Sequence, residues 1–269
     1  MRLSIAARLT YDFAAPCETV LMIEAARSPD QVVHKERLSL SPSVEIARLD
    51  DSVSGERRCV FDAEGRVEID YSAEVEVLDR STNLASERAS AIRDLPGAAL
   101  KYLRASRYCP SDRFEVFVHR EFNGLSGGAK VQAILDWIAQ NLEYRPGVSD
   151  ASTTAQDTFV ERAGVCRDFT HLALTMIRAA DIPARAVSAY AWKLQPPDLH
   201  AVAEVWLGGR WRLVDPTRLA PVKGLVRVAT GRDAADIAFM HIFGSARPVK
   251  QSFSVKALPG PPTRPRRSL

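Results

Sequence analysis

Residues 163–169 read A-G-V-C-R-D-F, and the chain runs on as T-H-L-A-L-T-M-I-R-A-A-D to Asp181. The fold turns on this stretch. Phe169, Leu172, Ala173, Met176, Ile177 and Ala180 recur at i, i+3, i+4, i+7, i+8 and i+11, which makes one face of a helix apolar and commits it to a core. Ile182-Pro183 ends the helix, because proline carries no N–H and its ring restrains the residue before it. Cys166 therefore stands at a helix N-terminus. Unpaired N–H groups and the positive end of the helix dipole favour the thiolate form of a cysteine placed there.

Upstream, Val131, Ile134, Leu135, Ile138 and Leu142 mark a second amphipathic helix, closed by Tyr144 and Pro146. Thr154-Ala-Gln-Asp157 has the form of an N-cap with an acid three residues on. It opens a short helix over 155–162 that leaves through Gly164 into Cys166. Downstream of Pro183 the period changes to that of short strands, at 185–192, 200–207, 210–215 and 226–230. Residues 233–243 carry no single period.

At the N-terminus, Leu3, Ile5, Ala7 and Leu9 alternate with Arg2, Ser4, Ala6 and Arg8. Further on, Glu68, Asp70, Ser72, Glu74 and Glu76 alternate with Val67, Ile69, Tyr71, Ala73, Val75 and Val77. Turn signals at Ser-Pro-Asp (28–30), Ser-Pro-Ser (41–43), Ser-Gly (54–55) and Glu-Gly (64–65) divide these runs. The first 80 residues thus read as antiparallel β, a sandwich or an open sheet. The predicted class is α+β. A β-rich, sandwich-like N-terminal domain spans 1–80, a linker with a short helix 81–125, and a core 126–258. A flexible basic tail, 259–269, ends the chain as P-G-P-P-T-R-P-R-R-S-L.

The 269 residues carry 36 basic and 33 acidic side chains, a net charge of +3. Apart from the tail these are interspersed, so no field points to nucleic acid as a partner. The four cysteines, Cys17, Cys59, Cys109 and Cys166, show no C-x-x-C spacing. There is no histidine pair at metal spacing, no D-x-D-x-D-G calcium loop and no Gly-rich phosphate loop, so neither metal nor cofactor is expected. The start, M-R-L-S-I-A-A-R-L-T-Y, is not a secretory signal, and no segment reaches transmembrane length. The expectation is a cytoplasmic protein with reduced thiols and no membrane partner.

Gly208-Gly209 is a two-residue hairpin signal. With the turn there, Leu207 opposes Arg210, Trp206 opposes Trp211, Val202 opposes Asp215 and His200 opposes Thr217. Directly opposed side chains share a face, so His200, Val202 and Asp215 face the same way. His200 and Asp215 are then diagonal neighbours about 7 Å apart at Cα, within reach of a His–carboxylate hydrogen bond. A slip of one residue would separate them. Each residue alone has a plainer reading: Cys166 as a small buried side chain, His200 as a satisfied strand histidine, Asp215 as the start of a turn before Pro216. Together they make nucleophile, base and orienter. His171, five residues past Cys166, lies nearly half a turn from its face and is not the expected base.

The blocks A-G-V-C-R-D-F (163–169), I-R-A-A-D-I-P-A-R-A-V (177–187), L-H-A-V-A-E-V (199–205) and W-R-L-V-D-P-T (211–217) resemble the transglutaminase-like superfamily, in its bacterial, cysteine-protease-like branch. Tyr144 and G-R-D-A-A-D-I (231–237) agree, and S-R-Y-C (106–109) with the β-rich start resembles the domain that often precedes this core in bacterial members. The resemblance implies a papain-like core, with the cysteine on a helix packed against an antiparallel sheet that carries His and Asp. It implies Cys166, His200 and Asp215 as a triad for acyl transfer through a thioester, with water or an amine as acceptor. The Cys166 backbone N–H and Tyr144 are the oxyanion candidates. Asp168, Arg232 and Asp233 are further oxyanion or substrate candidates, although Asp168 also reads as a capping group and Arg232 and Asp233 as a brace. Val202 departs from the pattern, since members commonly carry an aromatic residue two after the histidine.

The reading is a cysteine peptidase or amidase with a protein or peptide substrate. Alternatives are a cross-linking transglutaminase, acetyl transfer from a thioester cofactor as in arylamine N-acetyltransferases, and a non-catalytic scaffold that kept the fold. The sequence leaves oligomeric state open.

Overall fold

The alternation that begins at Leu3 continues far beyond Leu9. In the computed structural model, which describes residues 1–80 and 83–259, it becomes one long strand, β1 (Arg2–Leu21). The expected tail, apart from Pro259, lies outside the described residues. Strands β2 (Gln31–Ser41), β3 (Ala47–Arg48) and β4 (Cys59–Val77) follow. β1 and β4 run antiparallel from Leu3↔Val75 to Leu21↔Cys59, with one register shift between Phe13 and Cys17. Leu3, Ile5, Leu9, Ile69 and Val75 share the buried face, and the charged residues between them point outward. β2 pairs with the far edge of β4. These strands belong to one sheet, not to two stacked as a sandwich.

The helical middle comprises α1 (Gly97–Leu100), α2 (Glu115–Glu121) and α3 (Gly127–Asn141). β5 (Glu143–Tyr144), α4 (Ala155–Glu161), β6 (Ala163–Gly164) and α5 (Cys166–Ala179) come next. Thr154 caps α4 as expected: its N–H donates to Asp157 Oδ2 (2.8 Å), and the Asp157 N–H donates back to the Thr154 hydroxyl. α2 has no counterpart among the predicted elements. It brings Phe117 into an aromatic cluster with Phe114, Trp137 and Phe159, and the Arg162 guanidinium lies 4.7 Å from the Trp137 ring centre.

A second sheet orders β7 (Ala184–Ala191), β8 (Leu199–Leu207), β9 (Arg210–Val214) and β10 (Leu225–Gly231) as β10-β7-β8-β9, all antiparallel. Leu172, Ala173, Met176 and Ile177 of α5 pack with Ala184, Ala186, Ala203 and Val205 of β7 and β8. Each large side chain so buried contributes about 1.5–3 kcal/mol. This places the first turn of α5 beside β8.

After α6 (Ala234–Ile237), β11 (Met240–Ile242) and β12 (Ala246–Ala257) return to the first sheet. They pair along the free edge of β1, from Leu3↔Ala257 to Phe13↔Ala246 and again at Thr19↔Ile242. The sequence-based division counts these residues with the core at 126–258. Only Phe253 of β12 is buried, so the strand carries almost no apolar alternation to announce it.

Charge also ties the sheets together. The Glu204 carboxylate on β8 has no solvent exposure and receives Arg185 Nε at 2.7 Å and Arg227 Nε at 3.0 Å. Arg227 also reaches Asp30 Oδ1 (2.7 Å), and Arg80 Nε reaches Asp30 Oδ2 (2.6 Å). Among the described residues no helix is long and apolar enough to cross a membrane.

Candidate active site

The predicted hairpin forms in the expected register. Leu207 opposes Arg210, Trp206 opposes Trp211, and the ladder runs to Ala203↔Val214. Gly208 and Gly209 have φ of 59° and 76°, the left-handed region the turn demands. Beyond Val214 the chain leaves the strand as Asp215-Pro216-Thr217, and the pairing geometry still holds the two side chains together. His200 Nε2 lies 3.0 Å from Asp215 Oδ2, and both side chains are buried.

The Asp215 carboxylate is fixed on both oxygens. Oδ1 accepts the Thr217 N–H (3.0 Å) and hydroxyl (2.7 Å), and Oδ2 accepts the Ala220 N–H (2.9 Å). Burial alone would raise its pKa, but the hydrogen bond to His200, the imidazole's charge and the Thr217 and Ala220 donors together lower it below the usual carboxylate range. It is an ionised acceptor at neutral pH. For His200, burial disfavours the cation. The hydrogen bond to Asp215, the neighbouring Cys166 thiol and the charges of both outweigh that and push the pKa up to about 9. His200 Nδ1 is buried without a hydrogen-bond partner, so the ring has one nitrogen committed to Asp215 and one uncommitted.

Cys166 is half-buried, a free thiol on the first residue of α5. Its placement comes from the residues just before it. β5 and β6 pair in parallel, Tyr144 against Gly164, and the Arg145 N–H donates to the Gly164 carbonyl (2.9 Å). A Cβ on Gly164 would stand 2.6 Å from Asp168 Cβ, so only glycine permits this entry into the helix. The pairing lays the Tyr144 phenol beside Cys166, near both its backbone N–H and its thiol. Burial, then the charge of Cys166, raise the Tyr144 pKa.

The other expected site residues are held in local bonds. Asp168 is fully buried and caps α5: it accepts the Val165 N–H (2.8 Å) and the Ser149 hydroxyl, and pairs with Arg167 (3.1 Å). Arg232 is exposed and pairs with Asp236 at 3.1 Å. Asp233 is buried, caps α6 through the Ala235 N–H (3.0 Å) and accepts the Tyr108 N–H (3.1 Å). Both follow β10, two strands from β8 in the sheet, and act as a brace. His171 is buried, stacks on Tyr108 with ring centres 5.0 Å apart, and accepts the Ala234 N–H at Nε2 (3.1 Å).

Thr217 and Ser149 had no role in the sequence reading. The hairpin register placed Thr217 opposite His200, which was the available signal. For Ser149 there was none, since its link to Asp168 crosses a loop. Among the described residues no three His, Cys, Asp or Glu side chains converge to hold a metal ion.

The family model of the transglutaminase-like superfamily core matches residues 118–216, which include Cys166, His200 and Asp215. The crystal structure of a candidate cysteine protease from Cytophaga hutchinsonii superposes with a TM-score of 0.88 and 37% identity, over 97% of this chain and 92% of that one. The chain belongs to the transglutaminase-like superfamily. Two curated relatives are uncharacterized mycobacterial proteins. One, from Mycobacterium leprae, is 33% identical over 117 residues, 40% of this chain and 42% of the relative. The other, from Mycobacterium tuberculosis, is 35% identical over 116 residues, 37% of each. The chain thus matches about two fifths of the length of these relatives. The Cytophaga likeness, by contrast, takes in both sheets and so extends beyond the transglutaminase-like core.

Proposed function

We propose that this protein is a thiol-dependent acyl-transfer enzyme that hydrolyses an amide or peptide bond through a thioester on Cys166. The observation that carries the reading is the state of His200: buried, bonded through Nε2 to an ionised Asp215, with Nδ1 free of any other partner and Cys166 acting on the ring. With its pKa at about 9 the ring is an imidazolium at neutral pH, holding on Nδ1 the proton taken from the thiol. Sγ then attacks the carbonyl carbon, and negative charge develops on the carbonyl oxygen. The Cys166 backbone N–H and the Tyr144 hydroxyl are the donors beside that position. The imidazolium returns its proton to the leaving amine as the C–N bond breaks, leaving the acyl group on Sγ. Water, deprotonated by His200, attacks the thioester; the acid leaves and the thiol is restored.

The transglutaminase-like fold supports acyl transfer in general. Hydrolysis is supported by the similarity to the Cytophaga protein described as a candidate cysteine protease. Four unpaired cysteines suit a reducing compartment such as the cytoplasm. The test is to incubate the protein with a peptide library and identify acyl adducts on Cys166 by mass spectrometry, with and without added primary amine. An adduct that decays to free acid in water supports hydrolysis. Decay only to the amide of the added amine would replace it with cross-linking, and absence of any adduct across the library would sink the enzyme reading.

A further inference from the structure

A threonine hydroxyl stands where it decides which nitrogen of His200 carries the proton. The Thr217 O–H donates to Asp215 Oδ1 at 2.7 Å. That proton is committed, so the oxygen has only lone pairs to offer its other neighbours. One faces the Leu219 N–H at 3.2 Å, and the other faces His200 Nε2 at 3.3 Å. On its second side Nε2 meets Asp215 Oδ2 at 3.0 Å, also an acceptor. A nitrogen between two acceptors must be the protonated one. Whenever the ring is neutral, Nδ1 is then the lone-pair nitrogen, and it is the nitrogen with no hydrogen-bond partner.

We propose that Thr217 is a positioning residue for His200: its hydroxyl steadies Asp215 and serves Nε2–H as a second acceptor, which holds the base nitrogen Nδ1 toward Cys166. The inference rests on the acyl-transfer reading for its purpose, but its geometry stands without it. The local chain explains why the hydroxyl is so well held. Pro216 has no N–H, and the Thr217 N–H folds back onto Asp215 Oδ1 (3.0 Å) in a turn closed by the aspartate's own side chain. The next turn is closed by Thr217 itself, through the Leu219 N–H. Thr217 thus gains its rotamer from the same bonds that orient Asp215.

The charged and titratable groups facing His200 are few. Asp215 lies beyond β9, Cys166 opens α5, and Asp198 immediately precedes β8, with a charge that also acts on the ring. Tyr144 lies beside Cys166. Replacing Cys166 by alanine removes the thiol that acts on the ring.

The test is a nitrogen-15 NMR titration of the labelled histidines in a Cys166→Ala background. Thr217→Val keeps the volume and loses the hydroxyl, whereas Thr217→Ser keeps the hydroxyl and loses the methyl. The His200 midpoint should fall by roughly half to one pH unit in Thr217→Val and stay at the parent value in Thr217→Ser, as removal of one hydrogen bond to the ring implies. With Cys166 restored, alkylation of Thr217→Val should slow by roughly 3- to 10-fold, in proportion to that shift. A packing role predicts the reverse, a silent valine and a defective serine, and that outcome overturns the proposal. So does a valine variant that titrates with its parent. If Thr217→Val does not fold, Thr217→Ala removes the same hydroxyl. Should Cys166 prove inert toward every acyl donor, the titration still reads Thr217, so the two ideas fail separately.

Discussion

His200 Nε2 and Asp215 Oδ2 are 3.0 Å apart in a buried setting, although the hairpin ladder that brings them together ends one residue short of the aspartate. The contact survives because Asp215 is anchored by Thr217 and Ala220 rather than by strand pairing. It raises the histidine's affinity for a proton, and pH dependence follows from that.

The folded His200 pKa, about 9, lies above its ordinary value near 6.5. The stabilisation it provides is therefore fully present below about pH 6.5 and is lost as pH rises through about 9. Asp215→Asn removes the partner charge. Urea unfolding of both proteins from pH 6 to 10 should show the largest stability gap at the acid end of this range and a closing gap above pH 9. A gap constant with pH would contradict the pairing.

Burial pushes Cys109 up to about 11, and burial together with the neighbouring Glu24 pushes Cys59 up to about 12. Both thiols should resist alkylation at neutral pH. Peptide mapping after brief iodoacetamide treatment should place the label on Cys166 well ahead of these two, and His200→Ala should slow that labelling by roughly tenfold or more. Equal labelling of Cys166 and Cys59 would remove the support for an activated thiol.

Glu204 is a buried anion held by two guanidiniums. Glu204→Gln preserves its shape and leaves Arg185 without its carboxylate and Arg227 with Asp30 alone, at a cost of about 3–5 kcal/mol. Chemical denaturation should show the loss. Because Arg227 also reaches Asp30, proteolysis of the variant should begin in the loop before β2.

Burial lowers the His171 pKa to about 4, against the opposing charge of Asp233. Its neutral ring accepts the Ala234 N–H, and protonation would destroy that acceptor. The contribution is complete above about pH 6.5 and disappears as pH falls through about 4. The melting temperature should drop across that window, and His171→Asn should flatten this drop. An unchanged acid limb in the variant would assign the transition to other groups.

Much of this site was legible in the chain. The 3.6-residue period of 169–180 identified α5 and its buried face, and Pro183 its end. Gly208-Gly209 set a register from which the His200–Asp215 contact followed by counting. The same local logic left Asp168 between a helix cap and a site residue, because both are polar groups near a helix start; burial and its bond to the Val165 N–H show the cap. It also credited Arg232 and Asp233 with a possible place at the site, whereas they follow a strand two positions away in the sheet. β12 went unseen because an edge strand with one buried side chain has no period to read.

The elements whose signals are local could be read along the chain: the amphipathic helix behind Cys166, the hairpin turn, the cap of α4 and the alternation of β1 and β4. Periodicity and turn chemistry act over a few residues, so they can be read in order along the chain. Which distant groups meet depended on the folded packing. It returned the last strands to the edge of β1, joined Glu204 to Arg227 and Asp30 across the sheets, and set the Thr217 hydroxyl against His200. Those contacts depend on burial and on hydrogen-bond direction, and neither exists until the chain has folded.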